Sequence, residues 1–335
     1  MPNAQVFKVH RLKNGLTLLG EEMESVSSAA FAILVPVGAA TDPSAQEGAA
    51  NLMSEMFNKG AGPWNSQQLS EEFENIGVSR SHAAGIEVSI FSGAMLGENL
   101  PRALEIYSTV MLEPHFPEDA LDSVKQLALQ DLAALEDEPA SKVMSELARV
   151  FYPEPFGRSQ LGTDSGIKTV TIDSLRQYYI QRFLPGHSLI AVAGKFDWDA
   201  VKHVVETRFG EWSGEQPLLE VGAFPQENKT HHLQRETSQV QIALAYPSVS
   251  FDHHDYYKAK VAVSLLSGGM AGRLFIEVRE KRGLVYRISA SHSSARKRAA
   301  IFVSAGTTPQ HAEETLKVAL AELQRVGEGI TAEEL

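Results

Sequence analysis

A chain of 335 residues, 43% of them hydrophobic, can bury a sizeable core and is long enough for two domains. Its 42 acidic residues against 30 basic ones leave a formal charge of −12, and its longest basic patch is residues 295–298 (ARKR), which argues against nucleic acid or an anionic membrane as partner. With no cysteine, disulfides and thiolate metal sites are excluded.

Residues 7–23 alternate apolar and polar side chains around Asn14-Gly15, which predicts a β-hairpin. A β-rich apolar run at 29–37 (AAFAILVPV) follows, and residues 46–60 then switch to helical spacing with Leu52, Met56 and Phe57 on one face. A second amphipathic helix is expected over 66–76, a strand over 86–93 and a helix over 100–112. Residues 117–151 are helical in pattern, with a break at Pro139; a strand at 189–193 and a helix at 198–209 complete a first α+β unit. The first 13 residues hold no apolar segment after a basic start, and no run nears the ~20 apolar residues of a bilayer span. The compartment expected by default is the cytoplasm, or the periplasm if a signal peptide has been removed.

Residues 214–230 are polar and rich in Pro and Gly, as in a linker. Beyond them, residues 237–250 (TSQVQIALAYPSVS) line up with residues 27–40 (SSAAFAILVPVGAA), 210 positions earlier. Residues 301–316 (IFVSAGTTPQHAEETL) likewise line up with 90–104 (IFSGAMLGENLPRAL) after one inserted residue. Two matches at nearly one offset predict an internal duplication. The expected fold class is α+β: two homologous α/β domains, each an antiparallel-rich sheet with helices packed on it. They occupy residues 1–213 and 231–335, joined by the 214–230 linker. The chain closes on Thr331-Ala332-Glu333-Glu334-Leu335, a helix-starting pattern, so the second domain is expected to be incomplete.

The segment 48–61 reads GAANLMSEMFNKGA. It resembles the signature helix of the pitrilysin/insulinase zinc peptidases, G-x-A-H-F-x-E-H-x-x-F-K-G-T, with Gly48, Ala50, Met56, Lys59 and Gly60 in register. In that register Asn51 and Glu55 replace the two His ligands, and Ser54 replaces the Glu base. Residues i and i+4 share a helix face, so two histidines there can grip one zinc ion while the Glu activates water. Asn51 and Glu55 share a face as well, but an amide and a carboxylate without imidazole suit zinc poorly, and Ser54 is no base at neutral pH. The resemblance assigns the third ligand position, a Glu in the family, to Asp131, which is shorter. Asn51, Glu55 and Asp131 are therefore expected to remain as a polar cluster with structural roles, and no metal or other cofactor is expected in this chain.

A second motif is intact. Residues 266–289 (LSGGMAGRLFIEVREKRGLVYRIS) are similar to the family's second-domain sequence, a Gly-rich turn followed by R-L-F-x-E-x-R-E-K-R-G-L-x-Y. By that resemblance Arg282 and Tyr286 are the pair that reaches a substrate at the other domain's zinc; read alone, Arg282 better suits pairing with acids at a helix end. Residues 152–162 (YPEPFGRSQLG) resemble the family's H-P-x-G-R-x-x-x-G loop with its His lost. The pairs His231-His232 and His253-His254 read as solvated histidines, and Gly268-Gly269 is no phosphate loop, since no G-K-[ST] follows.

The resemblance implies a non-catalytic subunit of a heterodimeric metallopeptidase. It would close a proteolytic chamber with a homologous zinc-bearing partner and offer Arg282 and Tyr286 to a peptide at the partner's metal. A scaffold or peptide-binding adaptor without catalysis, and a weak self-sufficient peptidase, are the alternatives.

Overall fold

The computed structural model describes residues 6–217, 219, 220, 222, 230–295, 297–332 and 334. The expected linker falls largely outside them, as do Arg296 of the basic patch and Glu333 and Leu335 of the closing segment. The chain divides into two compact units, Met1–Ala133 with Arg158–Glu220, and Ala134–Gly157 with Val221–Leu335.

The first unit opens with strands β1 (Lys8–Arg11) and β2 (Thr17–Glu22), paired antiparallel across a turn in which Gly15 takes φ +90°, open to glycine at no steric cost. Strand β3 (Ser28–Val35) alternates inward Ala29, Phe31, Ile33 and Val35, and leads into helix α1 (Ala49–Met56). The short strands β4 (Gly60–Ala61) and β5 (Trp64–Asn65) precede α2 (Ser66–Asn75), whose Asn65 and Gln68 form a reciprocal cap. Strands β6 (Ser79–Ala84) and β7 (Ser89–Leu96) then lead into α3 (Leu100–Leu112) and α4 (Glu118–Glu136). Helix α5 (Pro139–Phe151) belongs to the second unit. The first unit resumes with α6 (Asp164–Thr169), α7 (Ile172–Arg182), β8 (Leu189–Gly194) and α8 (Trp198–Phe209).

Six of its strands form one sheet in the order β1-β2-β8-β3-β7-β6, with β8 parallel to β2 and antiparallel to β3, while β4 and β5 pair separately. The helices bury one face of this sheet around Phe57, whose ring lies 5.1 Å from Phe183, 5.3 Å from Phe91 and 5.4 Å from Phe116. Strand β6 and helices α6 and α7 have no counterpart among the expected elements, and the strand expected over 86–93 starts instead at Ser89. Residues 79–84 (SRSHAA) lack the apolar alternation of a core strand because β6 is a sheet edge with mostly exposed residues.

The second unit contains β9 (Val240–Pro247), α9 (Tyr256–Ser267), a π-helical turn at Phe275–Glu280, β10 (Val285–Ala295), β11 (Arg298–Thr307) and α10 (Ala312–Glu328). The sheet order is β10-β11-β9, antiparallel throughout. Leu266, Leu274, Val278, Leu284, Ile288 and Val303 form its core. The aligned segments fold alike. The pairs β3–β7 and β9–β11 are both antiparallel, and in each unit the later strand leads through a single 3-10 turn into a helix, α3 or α10. The repeat therefore holds in three dimensions. Thr331 and Glu334 lie in a turn after α10, joined by a hydrogen bond from Thr331 N–H to Glu334 Oε2 at 2.9 Å. No helix among the described residues is long and apolar enough to cross a membrane.

Candidate functional site

Helix α1 is fixed at its N-terminus by a residue outside it. The Asp42 carboxylate accepts N–H bonds from Gly48 at 2.7 Å and Ala50 at 2.9 Å, filling two of the donors that a helix start leaves unpaired. Asp42 is only 6% exposed, and burial pushes its pKa up to about 6 although both N–H bonds favour the charged form. Arg158 Nη1 donates to the Asp42 carbonyl oxygen at 2.6 Å. Gly48 takes φ +112°, and a Cβ on Gly162 would lie 2.4 Å from the Gly48 Cα, so the loop 158–162 packs directly under the helix start. This is the structural use of the residues that read as the G-R-x-x-x-G loop.

One face of α1 carries Leu52, Met53 and Met56, all fully buried. Asn51 and Glu55 are half-buried on another face, and neither makes a side-chain hydrogen bond among the described residues. Ser54 is 4% exposed. Asp131 is exposed on α4 and forms no ion pair among the described residues. The structure does not gather Glu55 and Asp131 with a third His, Asp or Glu into a ligand group.

Sequence reasoning missed His82 on the edge strand β6, which stands beside α1. Its ring stacks on Phe91 at 6.0 Å with planes 16° apart, and Nε2 lies 3.2 Å from Asn58 Nδ2. Burial lowers its pKa, offset in part by the Glu55 charge and by a bond to the Ser54 backbone, so the imidazole is neutral near pH 7. It is thus committed to tying β6 to α1. No periodic signal marked it, since its strand has none. The donors around α1, an amide, a carboxylate and an engaged imidazole, do not fit a zinc site built on two helix histidines.

The other motif is shaped by two irregularities. The π-helical turn Phe275–Glu280 closes with Lys281 N–H donating to the Ile276 carbonyl at 2.9 Å, a wider turn of the kind often found at functional sites. Six residues on, the register between β10 and β11 steps from Val285↔Thr307 to Arg287↔Gly306, so Tyr286 is the extra residue of a β-bulge. The bulge breaks the in-out alternation, leaving both Tyr286 and Arg287 exposed between buried Val285 and Ile288. Tyr286 is 81% exposed, and the Arg279 guanidinium lies 5.3 Å from its ring.

Arg282 Nη1 donates to the Glu277 carbonyl oxygen at 2.6 Å and to its carboxylate at 2.8 Å, which is the helix-end pairing open to it from sequence alone. Lys281 shares the same carboxylate at 2.6 Å, and the two bonds hold the Glu277 pKa below its usual value. Among the described residues only Nη1 is used, so the other N–H groups of the Arg282 fork are available there.

The adjacent histidines 253 and 254 lie closer together than expected. Their rings are 4.3 Å apart, and with Asp255 they form the one group of three His, Asp or Glu side chains, among the described residues, with ligand atoms within 4.8 Å of one another. Both rings are exposed, as expected, and the Lys258 ammonium already sits 2.6 Å from Asp255.

Comparison with known proteins gives a consistent result. Residues 18–164 match the family described as insulinase (peptidase family M16), and residues 169–335 match the peptidase M16 inactive domain. An uncharacterized zinc protease of Rickettsia bellii is 28% identical over 337 residues, covering 98% of this chain and 80% of that protein. An uncharacterized zinc protease of Bacillus subtilis is 28% identical, covering 98% and 81%. A peptidase M16 inactive domain from Pseudomonas fluorescens superposes with a TM-score of 0.90 at 23% identity, over 98% of this chain and 81% of that one.

Proposed function

Because the chain belongs to the insulinase family, peptidase family M16, we propose that it is the zinc-free subunit of a two-chain metallopeptidase, completing a peptide chamber with a homologous partner that carries the metal. The observation that carries this reading is helix α1. Its cap, its apolar face and its glycine supports are all in place, yet Asn51, Ser54 and Glu55 stand where two imidazoles and a base are needed. A helix of that design is a scaffold without its chemistry, so hydrolysis has to occur at a metal held elsewhere.

What this chain contributes is the Arg282–Tyr286 segment. A phenol O–H exposed at the bulge and a guanidinium braced by Glu277 are both hydrogen-bond donors. Such donors stabilise a peptide carbonyl as it gains negative charge during attack by water. Each lost oxyanion donor costs on the order of 10²–10³ in kcat in well-studied hydrolases. The partner supplies zinc and base; this chain supplies the substrate contacts and the second wall of the chamber.

The test is to mix the purified chain with an M16 homologue that retains HxxEH and follow cleavage of a fluorogenic peptide. Hydrolysis should rise on mixing, and the Arg282→Ala, Tyr286→Phe double variant should remove most of the rise while still forming the complex. A stable complex with no rise in hydrolysis would make the chain a scaffold, and full activity from the double variant would remove both residues from the chemistry.

A further inference from the structure

The segment around Tyr286 differs in charge from the rest of the molecule. The chain carries 42 acidic against 30 basic residues, yet between Glu277 and Arg287 four cations (Arg279, Lys281, Arg282, Arg287) face two carboxylates, Glu277 and Glu280. Lys281 and Arg282 both bind Glu277, so one carboxylate serves two cations. Arg279 and Arg287 form no ion pair or hydrogen bond among the described residues. Glu280, also exposed, is bonded to neither.

Their placement is specific. The Arg279 guanidinium lies over two rings, 4.9 Å from Phe275 and 5.3 Å from Tyr286, which holds its planar fork beside the phenol without consuming its N–H donors. Arg287 follows Tyr286 directly, and the bulge turns it to solvent where regular alternation would turn it inward. One guanidinium therefore stands beside the exposed phenol and a second follows it in the chain, and neither pairs with a carboxylate among the described residues. Arginine forks pair with carboxylates through two parallel N–H bonds.

We propose that Arg279 and Arg287 make this face selective for extended peptides carrying a carboxylate beside the residue that meets Tyr286. This rests on the reading of Tyr286 as a substrate contact and adds the substrate class. The carboxylate comes from an Asp or Glu side chain or from the peptide's C-terminus; the chemistry is the same, and the two sources separate by experiment. Exposed pairs of this kind are individually weak and weaken further with salt, so selectivity should be modest and dependent on ionic strength.

The experiment measures fluorescence anisotropy of three labelled ten-residue peptides on the full chain: neutral with an amidated C-terminus, the same with two internal Asp residues, and the same with a free C-terminal carboxylate. At low salt one or both carboxylate peptides should bind about five- to tenfold tighter than the neutral one, with the margin shrinking as salt rises. The Arg279→Gln, Arg287→Gln double variant should bring them down to the neutral peptide's affinity, with circular dichroism confirming its fold. Equal binding of all three peptides, no binding of any, or a margin that survives in the double variant overturns the proposal. So does a double variant that alters only association with the zinc-bearing subunit, since the arginines then belong to the subunit interface. A chain that stimulates its partner through Arg282 and Tyr286 yet treats the three peptides alike keeps the proposed function and loses this inference; one that prefers carboxylate peptides without stimulating any partner does the reverse.

Discussion

Helix α1 and the segment from the π-helical turn to the start of β10 both line up with sequence patterns of the family, and they keep those patterns in opposite ways. In α1 everything that holds the helix is intact and everything that did chemistry is gone: Leu52, Met53 and Met56 are buried and Asp42 caps two N–H groups, while the polar positions hold an amide, a hydroxyl and one carboxylate. In the second segment the residues that face solvent retain the family pattern, and the backbone departs from regular geometry to present them. Packing preserves a scaffold after its ligands are lost, because burial of Leu52 or Met56 does not depend on what Asn51 offers to a metal.

This contrast is best broken by substitutions graded by expected effect. Phe57→Ala should be the most damaging, removing a fully buried ring in contact with Phe91, Phe116, Tyr179 and Phe183. A loss of about 3–5 kcal/mol by urea denaturation is expected. Ser54→Glu, which restores the base of the family motif, should not be neutral, since position 54 is almost fully buried; it should cost roughly 2–4 kcal/mol by the same assay and add no peptidase activity.

The cap of α1 gives a pH signature. An Asp with an ordinary pKa of 3.8 when unfolded and about 6 when folded binds its proton more tightly in the native state. Its contribution to stability is therefore most favourable at low pH and declines as pH rises from about 4 to 6, by about 2–3 kcal/mol in all. Thermal unfolding of Asp42→Asn should lack that decline, and an unchanged pH profile would show that Asp42 titrates normally. The smallest effects belong to the second segment. Arg282→Ala should lose about 1 kcal/mol through its Glu277 pairing, and Tyr286→Phe less than about 0.5 kcal/mol, because its ring is exposed. A large stability loss from Tyr286→Phe would make that residue structural rather than functional.

The legibility of these two halves in the sequence differed for physical reasons. The hairpin at Asn14-Gly15, the helices at 100–112 and 198–209 and the repeated strand–helix order follow from local turn chemistry and periodicity, and the structure has them. Edge strand β6 and helix α7 were not legible: β6 buries one side chain among six, and three of eleven in α7 are buried, so neither carries a strong apolar pattern. The replacement of the family's ligand residues in α1 was readable because it is a matter of residue type at fixed helical spacing. His82 was not, since it reaches α1 across the fold rather than along the chain. The exposure of both Tyr286 and Arg287 depends on a bulge, which one chain's alternation does not announce.

On the proposed reading α1 holds no zinc and hydrolysis belongs to a partner. Metal analysis of the purified chain alone, equilibrated with zinc and dialysed, paired with a chelator-controlled peptidase assay, tests it directly. The account predicts far less than one zinc per chain and no chelator-sensitive cleavage until the HxxEH subunit is added; one tightly held zinc lost on substituting Glu55, with unaided turnover of peptides, would contradict it.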